Sequence, residues 1–190
     1  MKTVVGIVGQ SVSGKGTVAK VLEEEFGFFA TSLSDRIREE LERRGIVETR
    51  DLMNQVGNEL RGEFGADILV KRTQELIEGE NLGKVVIESV RNPEEVNFIK
   101  REMGGVIIGV EASEKMRFEL MKKRGRNGDA STWEEFMRLE KAENNEGEEG
   151  HVQKVSECLK MADYTIDNNG TREELVEKVR EMAKELKLDF

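Results

Sequence analysis

The sequence predicts an α/β protein, a five-stranded parallel sheet with helices on both faces. Three observations predict it. Five short apolar runs rich in β-branched residues recur along the 190 residues, with helical stretches between them. A glycine-rich turn joins the first run to the first helix. The composition, with one proline and 36% charged residues, many of them Glu, Lys and Arg, favours helices around a buried sheet.

The elements follow in order. Thr3–Val8 (TVVGIV) is apolar throughout, as expected of a strand buried on both faces. Gly16–Phe26 is a helix with Val18, Val21, Leu22 and Phe26 at helical spacing. Phe28–Ala30 is a short second strand. Ser34 is placed to N-cap a helix through Arg44, which Gly45 ends. Thr49 caps a helix carrying Leu52, Met53, Val56, Leu60 and Phe64 on one face, and a further helix runs from about 66 to 78. Lys84–Ser89 is the third strand. Asn92-Pro93-Glu94-Glu95 starts a helix with a cap, a proline in the first turn and acids against the dipole. Gly105–Ala112 is the fourth strand, with Ser113 opening the next helix. Asp163–Asp167 is the fifth, and Thr171 with Glu174 forms a capping box for the last helix.

There is no internal repeat and no linker that divides the chain, so one domain is expected. Its most irregular part lies between the fourth and fifth strands, around Gly125–Thr132 and Asn144–Gly150. This region is expected to form a mobile lid.

Bulk numbers exclude several classes. The net charge of −9 argues against non-specific nucleic-acid binding, which needs a basic surface. No apolar run approaches the ~20 residues of a membrane span. MKTVVGIVG enters a strand directly, so no signal peptide is expected. Cys158 is the only cysteine, which rules out a disulfide within the chain and fits a cytoplasmic protein. His151 has no cysteine or histidine cluster around it for a zinc site.

The chemistry is concentrated in GQSVSGKGT, residues 9–17. It fits the P-loop pattern G-x-x-x-x-G-K-[ST] at Gly9, Gly14 and Lys15, but Gly16 holds the hydroxyl position and the hydroxyl comes on Thr17. The loop follows a strand and opens a helix, the context in which backbone N–H groups and a helix N-terminus hold phosphate. Lys15 would sit on the β- and γ-phosphates. At the carboxyl end of the third strand, Glu88 is placed to face them and to hold Mg²⁺ through water.

Gly14-Lys15-Gly16-Thr17 resembles the loop of adenylate kinase and other P-loop nucleoside monophosphate kinases. The resemblance extends through segments spread over most of the chain. It implies a three-layer P-loop NTPase fold with a small helical lid, ATP and Mg²⁺ as cofactors, and a small nucleotide-type acceptor, with neither nucleic acid nor membrane as partner. Acceptor-binding helices would span about 34–80 and the lid-like insert about 117–150. Gly9, Ser13, Gly14, Lys15, Gly16 and Thr17 would hold the donor phosphates, Thr17 also standing near the metal.

SDRIR, residues 34–38, resembles the acceptor segment of these kinases, with Ser34 in place of their glycine. It implies that Arg38 grips the acceptor and that Asp35 lies beside it. Arg91 matches a second acceptor arginine. RFELMKKRGRNGD, residues 117–129, resembles a lid entrance, and implies that Arg124 and Arg126 close on the transferred group, with Arg138 able to join on the acceptor side. ADYTIDNNGTREEL, residues 162–175, resembles a segment of dephospho-CoA kinases, which puts Asn168, Asn169 and Gly170 beside the base.

The expected function is transfer of the γ-phosphate of ATP to a nucleoside or deoxynucleoside monophosphate. One alternative is phosphorylation of a ribose hydroxyl as in dephospho-CoA kinases, with Asp35 as base. The other, from a different class, is a regulatory ATP-binding switch that is not a kinase.

Overall fold

The structure is a computed structural model that describes residues 2–125, 128–144 and 154–188. Its strands are β1 (Thr3–Val8), β2 (Phe29–Ser32), β3 (Lys84–Val90), β4 (Val106–Glu111) and β5 (Tyr164–Asp167). Every pairing is parallel, in the order β2-β3-β1-β4-β5. The helices are α1 (Lys15–Phe26), α2 (Leu33–Arg43), α3 (Arg50–Phe64), α4 (Ile68–Gly79), α5 (Pro93–Arg101), α6 (Glu114–Arg124), α7 (Trp133–Asn144), α8 (Val155–Lys160) and α9 (Arg172–Glu185). None of the described helices is long and apolar enough to cross a membrane.

Strand periodicity divides the core in two. Val5 and Ile7 of β1, Val86 of β3 and Ile108 of β4 pack with α1 and α9 on one face. Val4, Val8, Val85, Ile87 and Ile107 pack on the other face with residues of α2, α3, α4, α5 and α8. Side chains two apart point the same way, so each strand serves both layers. Gly6 of β1 faces Ile99 and Ile107, and a Cβ there would lie 2.6 Å from the Ile107 methyl. A third, smaller cluster of Met121, Ala130 and Phe136 joins α6 to α7 and reaches Val12 of the glycine loop. Trp133, packed edge-on against Phe118 at 5.4 Å, closes its outer side.

Caps at Thr49, Asn92, Ser113 and Thr171 stand where the sequence places them. The cap of α2 does not. It is Ser32 rather than Ser34, because β2 continues through Ser32 and passes into the helix without a loop. Ser32 and Asp35 then form the capping box, three residues apart as the motif requires. Phe28, read as the start of β2, instead turns into the core ahead of it. The helix α8 is an addition to the sequence reading.

Two features of the sheet aim it at a ligand. β1 lies centrally, with β3 on one side and β4 on the other, so successive crossovers leave a crevice at its carboxyl end. The register of β1 against β3 also slips. Gly6 pairs with Ile87 and Val8 with Val90, which places one extra residue on β3. Ser89 absorbs it at φ +63. A bulge of this kind re-aims side chains, and consecutive Glu88 and Ser89 both line the crevice.

Candidate active site

Between β1 and α1 the chain makes one tight loop. A Cβ on Gly9 would overlap the Val110 carbonyl of β4, so only glycine allows this approach. Gly14 is the N-cap of α1 at φ +107, a conformation that also favours glycine. No side chain caps α1, and its first turn carries no acid. By contrast, α2, α5 and α9 all have capping boxes. The uncapped N–H groups and dipole of α1 open into the crevice, an arrangement suited to an anion. Lys15 Nζ donates to Gly9 O at 2.8 Å and to Gln10 O at 2.6 Å, which keeps the ammonium over the loop.

Glu88 stands opposite. Its Oε2 would be 3.8 Å from a Cβ at Gly16, so the carboxylate faces the position where other loops carry a hydroxyl. Burial pushes its carboxyl pKa up; Lys15 pulls it down, and Asp35 and Glu23 push it up further. A raised pKa means that the folded protein keeps this proton to higher pH than the unfolded chain does. The cost of ionising Glu88 is therefore absent below the ordinary carboxylate range, about pH 4.3, and fully present above the raised value. Glu88→Gln is expected to melt above wild type at pH 7, the two curves converging as pH falls through that range. Thermal unfolding at stepped pH checks this; equal melting temperatures at pH 7 would contradict it.

Thr17, one turn into α1, lines the same crevice. One or two carboxylates plus substrate phosphates are what Mg²⁺ uses, and Glu88 with Thr17 fits that donor set. Among the described residues no cluster of three or more His, Cys, Asp or Glu side chains forms a cage for a metal by itself.

Asp35 and Arg38 come together at the start of α2, but each is engaged. Asp35 accepts from Ser32 N at 3.0 Å through one oxygen and from Arg38 Nη1 at 2.8 Å through the other. Arg38 also reaches Glu48 at 3.2 Å. Ser34 Oγ, 3.2 Å from Arg38 Nη1, fills the space a glycine would leave. Ser32 Oγ links to Ser89 Oγ at 2.8 Å and so ties the ends of β2 and β3.

Beyond them lies an arginine-rich end. Arg91 lines it, and so do Arg50 and Arg61, which the sequence reading missed. Arg61 is 4% exposed and its partner Glu95 fully buried; Nη2 donates to Glu95 Oε1 at 2.9 Å. The other Glu95 oxygen accepts from the backbone N–H groups of Arg91 and Asn92 at 2.9 and 3.1 Å. One carboxylate thus holds a side chain from α3 and the turn that carries Arg91. Gly57, one turn before Arg61, leaves room for the guanidinium, since a Cβ there would lie 3.2 Å from Nη1. A glycine four residues ahead of an arginine on an apolar helix face was the available signal.

At the opposite end Arg124 is paired with Asp129 and both line the crevice. Arg126 lies outside the described residues. Arg138 is exposed on α7 and is not among the residues lining the crevice. Arg117, treated in the sequence as part of the lid entrance, is instead 3% exposed and paired with Glu140 at 2.6 Å. Burial pushes the Cys158 thiol up to about 12, with the charges of Glu95 and Glu157 adding to it, as suits a core thiol.

Asn168 and Gly170 line the crevice on the far side of the loop, with Arg172 as an addition. The Asn168 side chain donates to Ser13 O at 2.8 Å. Asn169 accepts from Ser113 N at 2.8 Å and is also bonded to Asp167. These two side chains are committed within the protein, which leaves backbone groups of the turn to face a ligand.

All this forms one crevice of about 1440 Å³ running from Arg172 past the loop to Arg61. Among the described residues, seven cationic side chains line it, Lys15, Arg38, Arg50, Arg61, Arg91, Arg124 and Arg172, against four acids, Asp35, Glu48, Glu88 and Asp129. An acidic protein therefore presents a locally basic crevice, which focuses its field on anionic ligands.

Comparison with known proteins agrees with this geometry. Residues 8–137 match the model of a family described as "AAA domain". The UPF0200 protein of Pyrococcus horikoshii is 35% identical over 185 residues, covering 95% of each chain. The UPF0200/UPF0201 protein of Archaeoglobus fulgidus is 34% identical over 189 residues; the match covers 96% of this chain and 55% of that longer protein. Among solved structures, shikimate kinase from Bacteroides thetaiotaomicron superposes with a TM-score of 0.63 at 15% identity, over 97% of this chain and 98% of that one. At that identity the likeness is one of fold, the P-loop kinase fold.

Proposed function

This chain belongs to the UPF0200 family and to the AAA-domain family, and we propose from that premise that it is an ATP-dependent phosphotransferase acting on a nucleoside or deoxynucleoside monophosphate. The observation that carries the reading is the continuity of the crevice. It joins a phosphate loop, uncapped and lysine-bearing, to an arginine-rich end large enough for a second anion.

In this reading the loop amides and Lys15 hold the donor phosphates. Arg38 and Arg91, with Arg50 and Arg61, hold the acceptor phosphate, and their planar forks suit its oxygens. The acceptor oxygen is already an anion. It attacks the γ-phosphorus in line, the bond to the β-phosphate oxygen breaks, and ADP leaves with that electron pair; no proton has to be removed. Glu88 and Thr17 would form the protein side of a Mg²⁺ site, and the ion would neutralise phosphate charge there. Arg124 exchanges Asp129 for the transferring group as a lid of about 117–150, the stretch to which Arg126 also belongs, closes over the site to exclude water. The helices of about 34–80 form the acceptor side, and a cytoplasmic setting completes the reading.

The engaged state of Asp35 favours a phosphate acceptor over a hydroxyl. Each Asp35 oxygen accepts one hydrogen bond, from Ser32 N and from Arg38 Nη1, so the carboxylate is placed to orient the arginine that would grip an acceptor phosphate. Asp35→Asn is accordingly expected to raise KM for the acceptor while kcat stays within about threefold, far below the ~10²–10⁴ that removal of a general base costs. Steady-state kinetics of the variant decide it; a kcat loss of that larger size would establish a hydroxyl acceptor.

The reading itself is tested by ADP release against a panel of ribo- and deoxyribonucleoside monophosphates and dephospho-CoA. At least one monophosphate is expected to stimulate release well above the basal rate. Stimulation by dephospho-CoA alone would replace the acceptor, and a flat panel would leave an ATP-binding switch.

A further inference from the structure

Two buried polar side chains hold the phosphate loop from outside. Asn168, 7% exposed at the exit of β5, donates through Nδ2 to the Ser13 carbonyl at 2.8 Å. Its own backbone N–H is anchored on Glu111 O of β4 at 2.7 Å. Arg117 of α6, 3% exposed, donates through Nη1 to the Ser11 carbonyl at 3.4 Å and through Nε to Ala112 O at 3.2 Å. Glu140 at 2.6 Å and the Phe136 ring at 5.4 Å fix its guanidinium.

The consequence follows from peptide geometry. In a trans peptide the C=O and the next N–H lie in one plane and point in opposite directions; the chain has no cis peptide bond among its described residues. A Ser13 carbonyl drawn toward Asn168 therefore turns the Gly14 N–H the other way. A Ser11 carbonyl drawn toward Arg117 does the same for Val12 N–H. Both Val12 and Gly14 sit at positive φ, +58 and +107, and both line the crevice. For Val12 this region is strained, so the residue would not hold the orientation by its own preference, and Gly14 enters it freely without selecting one direction for its amide. Donation from a cation to the Ser11 carbonyl also polarises that peptide and makes its N–H a better donor.

We infer that Asn168 and Arg117 are positioning residues of the donor site, which set the direction of the Val12 and Gly14 amides that bind the terminal phosphates. Asn168 thus acts on the phosphate end of the donor rather than on its base. The inference rests on the reading of this loop as a donor-phosphate site.

Inorganic tripolyphosphate, which has no base, separates the two roles. Its binding and that of ATP are measured by calorimetry, well below the melting temperature, for wild type, Asn168→Asp and Arg117→Lys. Asn168→Asp keeps shape but presents an oxygen to the Ser13 carbonyl. Arg117→Lys keeps the charge beside Glu140 but cannot span the Ser11 and Ala112 carbonyls together. Both variants are expected to lose tenfold or more in affinity for tripolyphosphate and for ATP, by the same factor. A folded Asn168→Asp that weakens ATP but binds tripolyphosphate within twofold of wild type would overturn the inference and return Asn168 to the base. Should that variant not fold, Arg117→Lys binding tripolyphosphate as wild type does would overturn it equally. A wild type that binds neither ligand would remove the donor-site reading itself, a result distinct from either.

Discussion

Lys15→Ala is expected to reduce phosphoryl transfer by about 10²–10³-fold, the usual loss when one preorganised charge-stabilising donor is removed from a reacting centre. Stability should barely move. Lys15 is only partly buried, and the loop carbonyls Gly9 O and Gln10 O, to which it donates, can take water when the ammonium is gone. A change in melting temperature of no more than about 4 °C is the expectation for a loss of this size in a chain of this length. The substitution also removes the one cation that lowers the pKa of Glu88, so that carboxyl moves still higher. Paired activity and thermal-unfolding measurements check both halves. Near-normal transfer by a folded Lys15→Ala would mean that the donor binds elsewhere.

Glu95→Ala should produce the opposite pattern, with a large stability loss. Glu95 is fully enclosed, Arg61 is 4% exposed, and the carboxylate satisfies the guanidinium as well as two backbone N–H groups. Truncating it leaves a buried cation and two orphaned donors. Breaking one side of such a pair typically costs about 3–5 kcal/mol, which for a domain of this size corresponds to a fall in melting temperature of roughly 6–20 °C. The damage reaches the site as well, since the turn carrying Arg91 loses its anchor. Acceptor KM should therefore rise in the surviving folded fraction while ATP affinity is retained. Replacing both partners, Arg61→Met with Glu95→Leu, should recover much of the stability, because no charge is then left buried, yet not the acceptor affinity. Calorimetric unfolding of the single and double variants distinguishes these outcomes.

Much of the fold is legible in the sequence because its signals are local. The apolar runs that become strands, the helix caps at Thr49, Asn92, Ser113 and Thr171, and the glycine turn between β1 and α1 each occupy a few consecutive residues; the four caps stand as read, while β2 begins and ends later than its run suggests. Ser32 shows where local signals compete. The segment SLSD offers two serines as cap, and only the length of β2 selects the first, through pairing with β3 that no short window contains.

The site is less legible because its contacts are long-range. Arg38 and Asp35 are neighbours on a helix and announce themselves. Arg61 depends on Glu95, 34 residues away, and Asn168 on Ser13, 155 residues away. The sequence places Asn168 on the turn after β5 but does not give the direction of its side chain, which the packing of β5 against β4 decides. The bulge at Ser89 is similar. A serine at φ +63 has no sequence mark of its own, yet it turns Glu88 and the neighbouring hydroxyl into the crevice together. In each case the deciding partner comes from another element.

Transfer of label tests the central claim most directly. ATP labelled in its γ-phosphate is incubated with the protein and the nucleoside monophosphates, and the products are separated. The geometry predicts label in a nucleoside diphosphate, formed by wild type and lost in Lys15→Ala. Label recovered only as inorganic phosphate, at a rate that no acceptor changes, would contradict it.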